Sequence, residues 1–360
     1  MRTPAPRPSR HPTRHPSRSR IGFLAAVLAL FAGTAAAQQP DTEISLSLPL
    51  DCSPGETCWI SNYVDHDPGA GVRDYACGSA AYNVTSKHGD RHLGTDFALR
   101  DLAAMQAGVD VLAAAPGVVA GVRADMRDVD ASTIDAATLK GKFCGNGLVI
   151  KHAGGFTTQY CHLHQNSITL KQGETVTRGQ KIGRVGLSGF TQYPHLHITV
   201  RHGDTVIDPF VGLTRTEKCG LGERPLWRPD VLENLPYGPS ALYTMGFAGE
   251  KPTYQKARAG QYRDAVIARD APVFILWVDV FQVRVGDELV LTVIGPDGKP
   301  FLRYAKTLKK KYARAFNFAG KQLKTSTLSP GTYTGIATLT RTRPEPGQKT
   351  FTRRITTVVK

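Results

Sequence analysis

The sequence predicts a mostly β protein in two units, a strand-rich middle segment and an immunoglobulin-like β-sandwich after it. Three observations carry that expectation. His195-Leu196-His197-Ile198-Thr199-Val200 alternates polar and apolar residues with the period of a strand. Leu148–His152 and Phe156–Cys161 flank Gly154 and Gly155 as two arms of a hairpin. Beyond residue 280, short alternating runs recur between turn residues. Phe281, Val283 and Val285 alternate with Gln282 and Arg284. Glu288–Ile294 runs into Gly295-Pro296-Asp297-Gly298. Pro330-Gly331 precedes Tyr333–Leu339, and Phe351–Val359 closes the chain. At 360 residues the chain exceeds one ordinary domain, and 41% apolar residues exclude wholesale disorder.

Residues 1–37 read as a secretory signal peptide. Six Arg lead into the apolar run Ile21–Ala32, and Ala35, Ala36 and Ala37 end it as a small-residue cleavage site. The run is too short for a membrane span, which needs about 20 apolar residues. Export makes the six cysteines, Cys52, Cys58, Cys77, Cys144, Cys161 and Cys219, three expected disulfides. Cys144 and Cys161 bracket the hairpin and are the favoured pair. No C-x-x-C supports zinc ligation by cysteine. Residues 38–80 hold three of the cysteines and read as a disulfide-tied lobe. Asp65-His66-Asp67-Pro68-Gly69 within it lacks EF-hand spacing.

Three histidine clusters follow: His92-x-x-x-Asp96, His162-Leu163-His164 and His195-Leu196-His197. On a strand, His195, His197 and Thr199 share one face while Leu196, Ile198 and Val200 bury on the other. Two imidazoles on one sheet face can reach one metal. His92 and Asp96 are spaced as a helix-face pair, but Gly94 and Thr95 between them oppose a helix. There is no H-E-x-x-H. The alternative is a loop histidine followed by an aspartate on the entering strand. An imidazole and a carboxylate with one more histidine suit Zn²⁺ and leave a fourth position for water.

With the clusters in this order, the chain resembles the lysostaphin-like (LytM-type) zinc peptidoglycan endopeptidases. The likeness extends to Gly108-Val109-Asp110-Val111 through Gly117-Val118-Val119, Gly145–His152, Tyr160–Leu163, Gly173–Val176, Gly179–Gly183, Gly186–Gly189 and Asp208-Pro209. It covers roughly Arg91 to Phe210. The resemblance implies an antiparallel β-sheet metallopeptidase domain with a groove across the sheet, placed at residues 81–225. It also implies zinc ligands His92, Asp96 and His197, and catalytic histidines His162 and His195. Which of the two is base and which stabiliser stays open. The expected substrate is the stem or cross-link peptides of peptidoglycan, in the periplasm or outside a bacterium. Some relatives have lost ligands and regulate other wall enzymes; here every position is filled. The polar insertion Asp125–Lys140 departs from the pattern and is expected to border the groove. Since neighbouring strand residues point to opposite faces, Cys161 is expected to bond behind the sheet from His162.

Other polar residues read as structural. His164 is expected to be exposed, His88 and Asp90 to sit in a solvated loop, His152 to end a strand and Asp208 to terminate one. Residues 226–250, with Pro225 before them and Pro229, Pro236 and Pro239 within, read as a linker to a basic sandwich at 251–360.

The net charge of +15 divides into +6 over residues 1–40, −4 over 41–240 and +13 over 241–360. The catalytic segment is therefore not basic. Lys309-Lys310-Lys311 and Arg353-Arg354 make the last segment either a solvated basic surface or a dock for anionic wall or membrane components. No RNA- or DNA-binding motif accompanies the charge, so nucleic acid is not an expected partner. Besides the zinc endopeptidase, two further functions fit: a non-catalytic wall-binding regulator of other hydrolases, and a secreted protease acting on foreign Gly-rich proteins.

Overall fold

Eight antiparallel strands build the sheet that carries the histidines. They are β1 (Cys58–Asn62), β2 (Thr95–Leu99), β3 (Gly117–Arg123), β4 (Asn146–Lys151), β5 (Phe156–Leu163), β6 (Thr175–Val176), β7 (His195–His202) and β8 (Thr205–Ile207). Their order is β1-β2-β7-β5-β4-β3-β6, with β8 beside β7. This computed structural model describes residues 44–69, 71–84, 90–214, 218–323, 327–342 and 349–360. The expected leader, residues 1–37, and His88 lie outside the described residues.

Period-two patterning sets the two faces of the sheet. Phe97 and Leu99 of β2, Leu148 and Ile150 of β4, Tyr160 of β5, and Leu196, Ile198 and Val200 of β7 meet in one buried core. The rungs between them carry polar residues: His197 stands opposite Asp96 on one side and Cys161 on the other. The hairpin joining β4 and β5 turns through Gly154 and Gly155, both at positive φ. A short helix α1 (Leu102–Ala107) follows β2, capped by Asp101, which accepts from the Ala104 amide.

Of the stretch expected to be a separate lobe, residues 38–80, the described part packs into this sheet and its core. β1 is its edge strand, paired with β2, and Leu46 and Leu50 are buried in the same core. Ile44, Leu46, Leu48 and Leu50 alternate with the period of a strand, a signal that a reading centred on the cysteines passes over. Cys52 joins Cys58, Cys77 joins Cys219, and Cys144 joins Cys161.

The stretch read as a linker is also packed structure. Leu226, Trp227 and Leu235 are buried against the first core, and Pro229 starts helix α2 (Pro229–Glu233) at a position where its missing N–H costs nothing. Ala241–Ala248 forms β9, buried along nearly its whole length. The prolines mark a helix start and strand boundaries here.

After β9 come helix α3 (Tyr254–Arg258), β10 (Val273–Val283), β11 (Glu288–Ile294), β12 (Pro300–Thr307), β13 (Tyr312–Gln322), β14 (Gly331–Thr340) and β15 (Thr350–Val359). They form sheets β9-β10-β13 and β12-β11-β14-β15. Phe247, Phe274 and Leu276 of one sheet and Leu289, Leu291, Tyr333 and Leu339 of the other share a second core. The Gly295–Gly298 turn joins β11 to β12, with Gly298 at positive φ. A small junction cluster of Trp59, Ala98, Tyr243 and Phe281, flanked by Tyr193, lies between the two cores.

Candidate metal centre

His92 lies in the loop entering β2, and Asp96 is the second residue of that strand. The loop arrangement, not the helix-face pair, is the one adopted. Gly94 shows why the loop passes so close to β7: a Cβ there would lie 2.5 Å from the Ile198 carbonyl oxygen and 2.6 Å from His197 Nε2. His197 faces Asp96 across the β2–β7 ladder. One donor atom from each of His92, Asp96 and His197 lies within 4.8 Å of the other two. His92 Nε2 is 3.0 Å from Asp96 Oδ1, His197 Nδ1 is 2.8 Å from the same oxygen, and the two nitrogens are 3.1 Å apart.

The outward atom of each group is tied down. His92 Nδ1 donates to the Tyr63 carbonyl at 2.6 Å, which leaves Nε2 facing the centre. His197 Nε2 meets Thr199 Oγ1 at 2.9 Å, leaving Nδ1 inward. Asp96 Oδ2 accepts from Asn62 Nδ2 at 3.0 Å, leaving Oδ1 inward. Burial opposes ionisation of Asp96, but His92 and His195 beside it hold its carboxyl well below the usual range. Burial also opposes protonation of His92, and Asp96 overrides it and raises the imidazole. A cation among these atoms would take the place of a proton between His92 and Asp96, because ligation uses neutral imidazole. Two nitrogens and a carboxylate oxygen, each held from behind, fit a zinc ion with an open fourth position.

Two further imidazoles border the cluster. His162 Nδ1 donates to the Ser188 carbonyl at 2.8 Å, and His195 Nδ1 donates to the Tyr193 carbonyl at 3.0 Å. Both Nε2 atoms are thereby freed, and His195 Nε2 lies 3.6 Å from Asp96 Oδ1. The two rings are 4.7 Å apart between centroids. Burial, with His195 and His197 nearby, holds His162 well below the ordinary imidazole value, and burial lowers His195 as well. Both are neutral at neutral pH and able to accept a proton.

Residues 90–209 match the sequence profile of Peptidase family M23. They form an M23 peptidase domain. Among curated proteins, the chain is 35% identical over 106 residues to the peptidoglycan DD-endopeptidase ShyA of Vibrio cholerae, covering 29% of this chain and 19% of ShyA. It is 38% identical over 64 residues to the cell division protein DipM of Caulobacter vibrioides, covering 18% of this chain and 10% of DipM. The chain thus spans about a fifth or less of these relatives. Among solved structures, the lysostaphin catalytic domain of Staphylococcus simulans is 23% identical with a TM-score of 0.26, covering 36% of this chain and 83% of that one.

In the M23 domain one expectation fails for a clear reason. Cys161 does not lie behind the sheet from the site. It stands directly opposite His197 in the ladder, and opposed residues share a face. The β4–β5 register shifts between Asn146 and Leu148, and His162 sits at φ 64. The bulge breaks strict alternation, so the period-two argument does not hold at this step.

The remaining polar candidates lie outside the cluster. His164 is half-buried and faces Asp128 at 3.6 Å. His152 bonds the Pro116 carbonyl and Thr158 Oγ1, both at 2.7 Å. Asp208 accepts from the Phe210 amide, and Asp65 accepts from the Asp67 and Arg73 amides in a turn. Asp90 begins a two-residue strand. The insertion 125–140 forms two 3₁₀ turns, and its Ala131 amide donates to the Thr191 carbonyl. It therefore backs the 188–193 loop whose carbonyls orient His162 and His195.

Sequence reading missed Asn62, Tyr63, Ser188 and Tyr193, which orient Asp96, His92, His162 and His195 in turn. Three of them act through a main-chain carbonyl, and the fourth, Asn62, lies in a segment read as a separate lobe. Tyr193 adds a ring stacked on His195 at 4.6 Å.

Proposed function

We propose that the chain is an exported zinc-dependent endopeptidase that hydrolyses peptide bonds in bacterial peptidoglycan. The observation that carries this reading is the convergence of His92, Asp96 and His197 beside two neutral, pre-oriented imidazoles. Zinc held by those three residues would polarise the scissile carbonyl and make water a nucleophile at neutral pH. His162 and His195 present Nε2 to the reacting carbon. With Nδ1 protonated, Nε2 of either ring can take the proton of the attacking water, and the imidazolium so formed can donate it to the leaving amine or to the developing oxyanion. Their Nδ1–H bonds to the Ser188 and Tyr193 carbonyls fix the tautomer that leaves Nε2 a proton acceptor. Similarity to peptidoglycan endopeptidases supports the substrate class, and three disulfides support an oxidising, extracytoplasmic location.

Zinc analysis and a muropeptide digest test the reading together. The protein is expected to carry one zinc and to release new amine ends, and His195→Ala to abolish release while retaining zinc. A protein that binds no metal and frees no amine ends refutes it. His195→Ala that keeps its effect on walls would instead identify a regulator.

A further inference from the structure

Gln282 sits near the end of β10, in the second unit, yet its side chain reaches Asn62, the residue that holds Asp96 from behind. Gln282 is buried and non-glycine, but its φ is 52. Its Nε2 donates to Asn62 Oδ1 at 2.8 Å, and Asn62 Nδ2 in turn donates to Asp96 Oδ2 at 3.0 Å. On the other side, Arg284 Nη1 donates to Gln282 Oε1 at 3.2 Å.

The direction of this chain is set by chemistry. A guanidinium can only donate, so it fixes the oxygen of the Gln282 amide toward Arg284 and the nitrogen toward Asn62. The Gln282 nitrogen then fixes the Asn62 oxygen outward and its nitrogen toward Asp96. Were the Asn62 amide reversed, its oxygen would face the Asp96 carboxylate and push it off the centre. We propose that Gln282 is a positioning residue for the metal ligand Asp96, so that the docked second unit completes the metal centre of the first.

Other contacts hold the two units together independently. Arg284 bonds Ser79, Arg263 bonds Asp101 and Arg258 pairs with Asp130. Gln282 is therefore not needed for docking, and its left-handed backbone is the kind of local strain that persists where a side chain has a task.

The proposal rests on the metal-centre reading, and the experiment separates the two. Full-length wild type, Gln282→Gly and Gln282→Glu are compared by zinc affinity from chelator competition, by the visible spectrum after cobalt loading, and by melting of the metal-free protein. Glycine is relaxed at φ 52, so Gln282→Gly is expected to melt like wild type yet bind zinc about tenfold more weakly. Glutamate keeps its pair with Arg284 but cannot donate to Asn62. Gln282→Glu is expected to bind zinc more weakly still and to shift the cobalt bands. A packing role predicts the reverse order, with the isosteric glutamate milder than glycine, and that order overturns the proposal. So do variants that match wild type in affinity and spectrum. If Gln282→Gly fails to fold, wild-type affinity in Gln282→Glu alone overturns it. A wild type that takes up no zinc refutes the metal centre itself.

Discussion

Gly94 is the residue on which the approach of His92 to β7 depends. Any side chain there meets the Ile198 carbonyl and the His197 ring, and neither can retreat, because one is strand backbone and the other a candidate ligand. Gly94→Ala is expected to cost about 1–3 kcal/mol of stability and to weaken zinc binding by displacing the loop. Denaturant unfolding beside zinc titration checks both; a variant with unchanged affinity would show that the loop tolerates the shift. The spacings H-x-x-x-D and H-x-H draw attention to the five central residues, and the family resemblance, not the spacings, sets His162 apart from His164. The groups that orient them were not legible in the sequence. Ser188 and Tyr63 contribute a carbonyl that any residue could supply, and Asn62 lies 34 residues before the carboxylate it holds.

At the scale of elements, the insertion 125–140 links the M23 domain to the second unit. Its backbone supports the 188–193 loop, and its Asp130 pairs with Arg258 of α3. The Nε and Nη2 atoms of Arg258 are buried without partners, so Asp130 provides its main compensation. Partial burial raises the Asp130 carboxyl, but hydrogen bonds from Arg258 and Ser132 outweigh it, and the group ends below its ordinary value of 3.8. A carboxylate lowered by folding stabilises the fold above its unfolded pKa and loses that contribution as pH falls through the folded value. Asp130→Asn is therefore expected to lower stability by about 1 kcal/mol at pH 7. The gap between wild type and variant should close below pH 3.8. Melting curves of both across pH 2.5–7 check this; a gap that persists at the acid end would remove the ion pair as its cause. Strands β4, β5 and β7 of the first sheet and β11, β14 and β15 of the second unit were legible from their patterning and turns. The bulge at His162 was not, because a single added residue leaves the apolar pattern on either side intact.

For the whole molecule, the charge asymmetry and the packing point to different roles for the second unit. Its +13 charge invites reading it as a tethered anchor. Yet β9 runs directly out of the first core, Arg314 lies 5.2 Å over the ring of Tyr193, and Gln282 reaches Asn62. Arg314 is itself paired with Asp279 in a buried site, so the basic residues facing the M23 domain serve packing. Arg303, Lys309 and Lys310 are instead exposed, near Tyr304 and Tyr312 in the sequence. These two sets can be separated by mutation. Reversing Arg303, Lys309 and Lys310 to Glu is expected to weaken low-salt sedimentation with cell walls several-fold. Added salt should mimic the effect, since the Debye length shrinks from about 10 Å at 0.1 M to 3 Å at 1 M. Hydrolysis of soluble muropeptides should be unchanged. Ending the chain after Ser240 should instead abolish hydrolysis of soluble substrate as well, because it exposes Trp59 and Ala98 and removes Gln282. A truncated protein with full turnover on soluble muropeptides would mean that the second unit is an anchor after all, and that Asn62 holds Asp96 unaided.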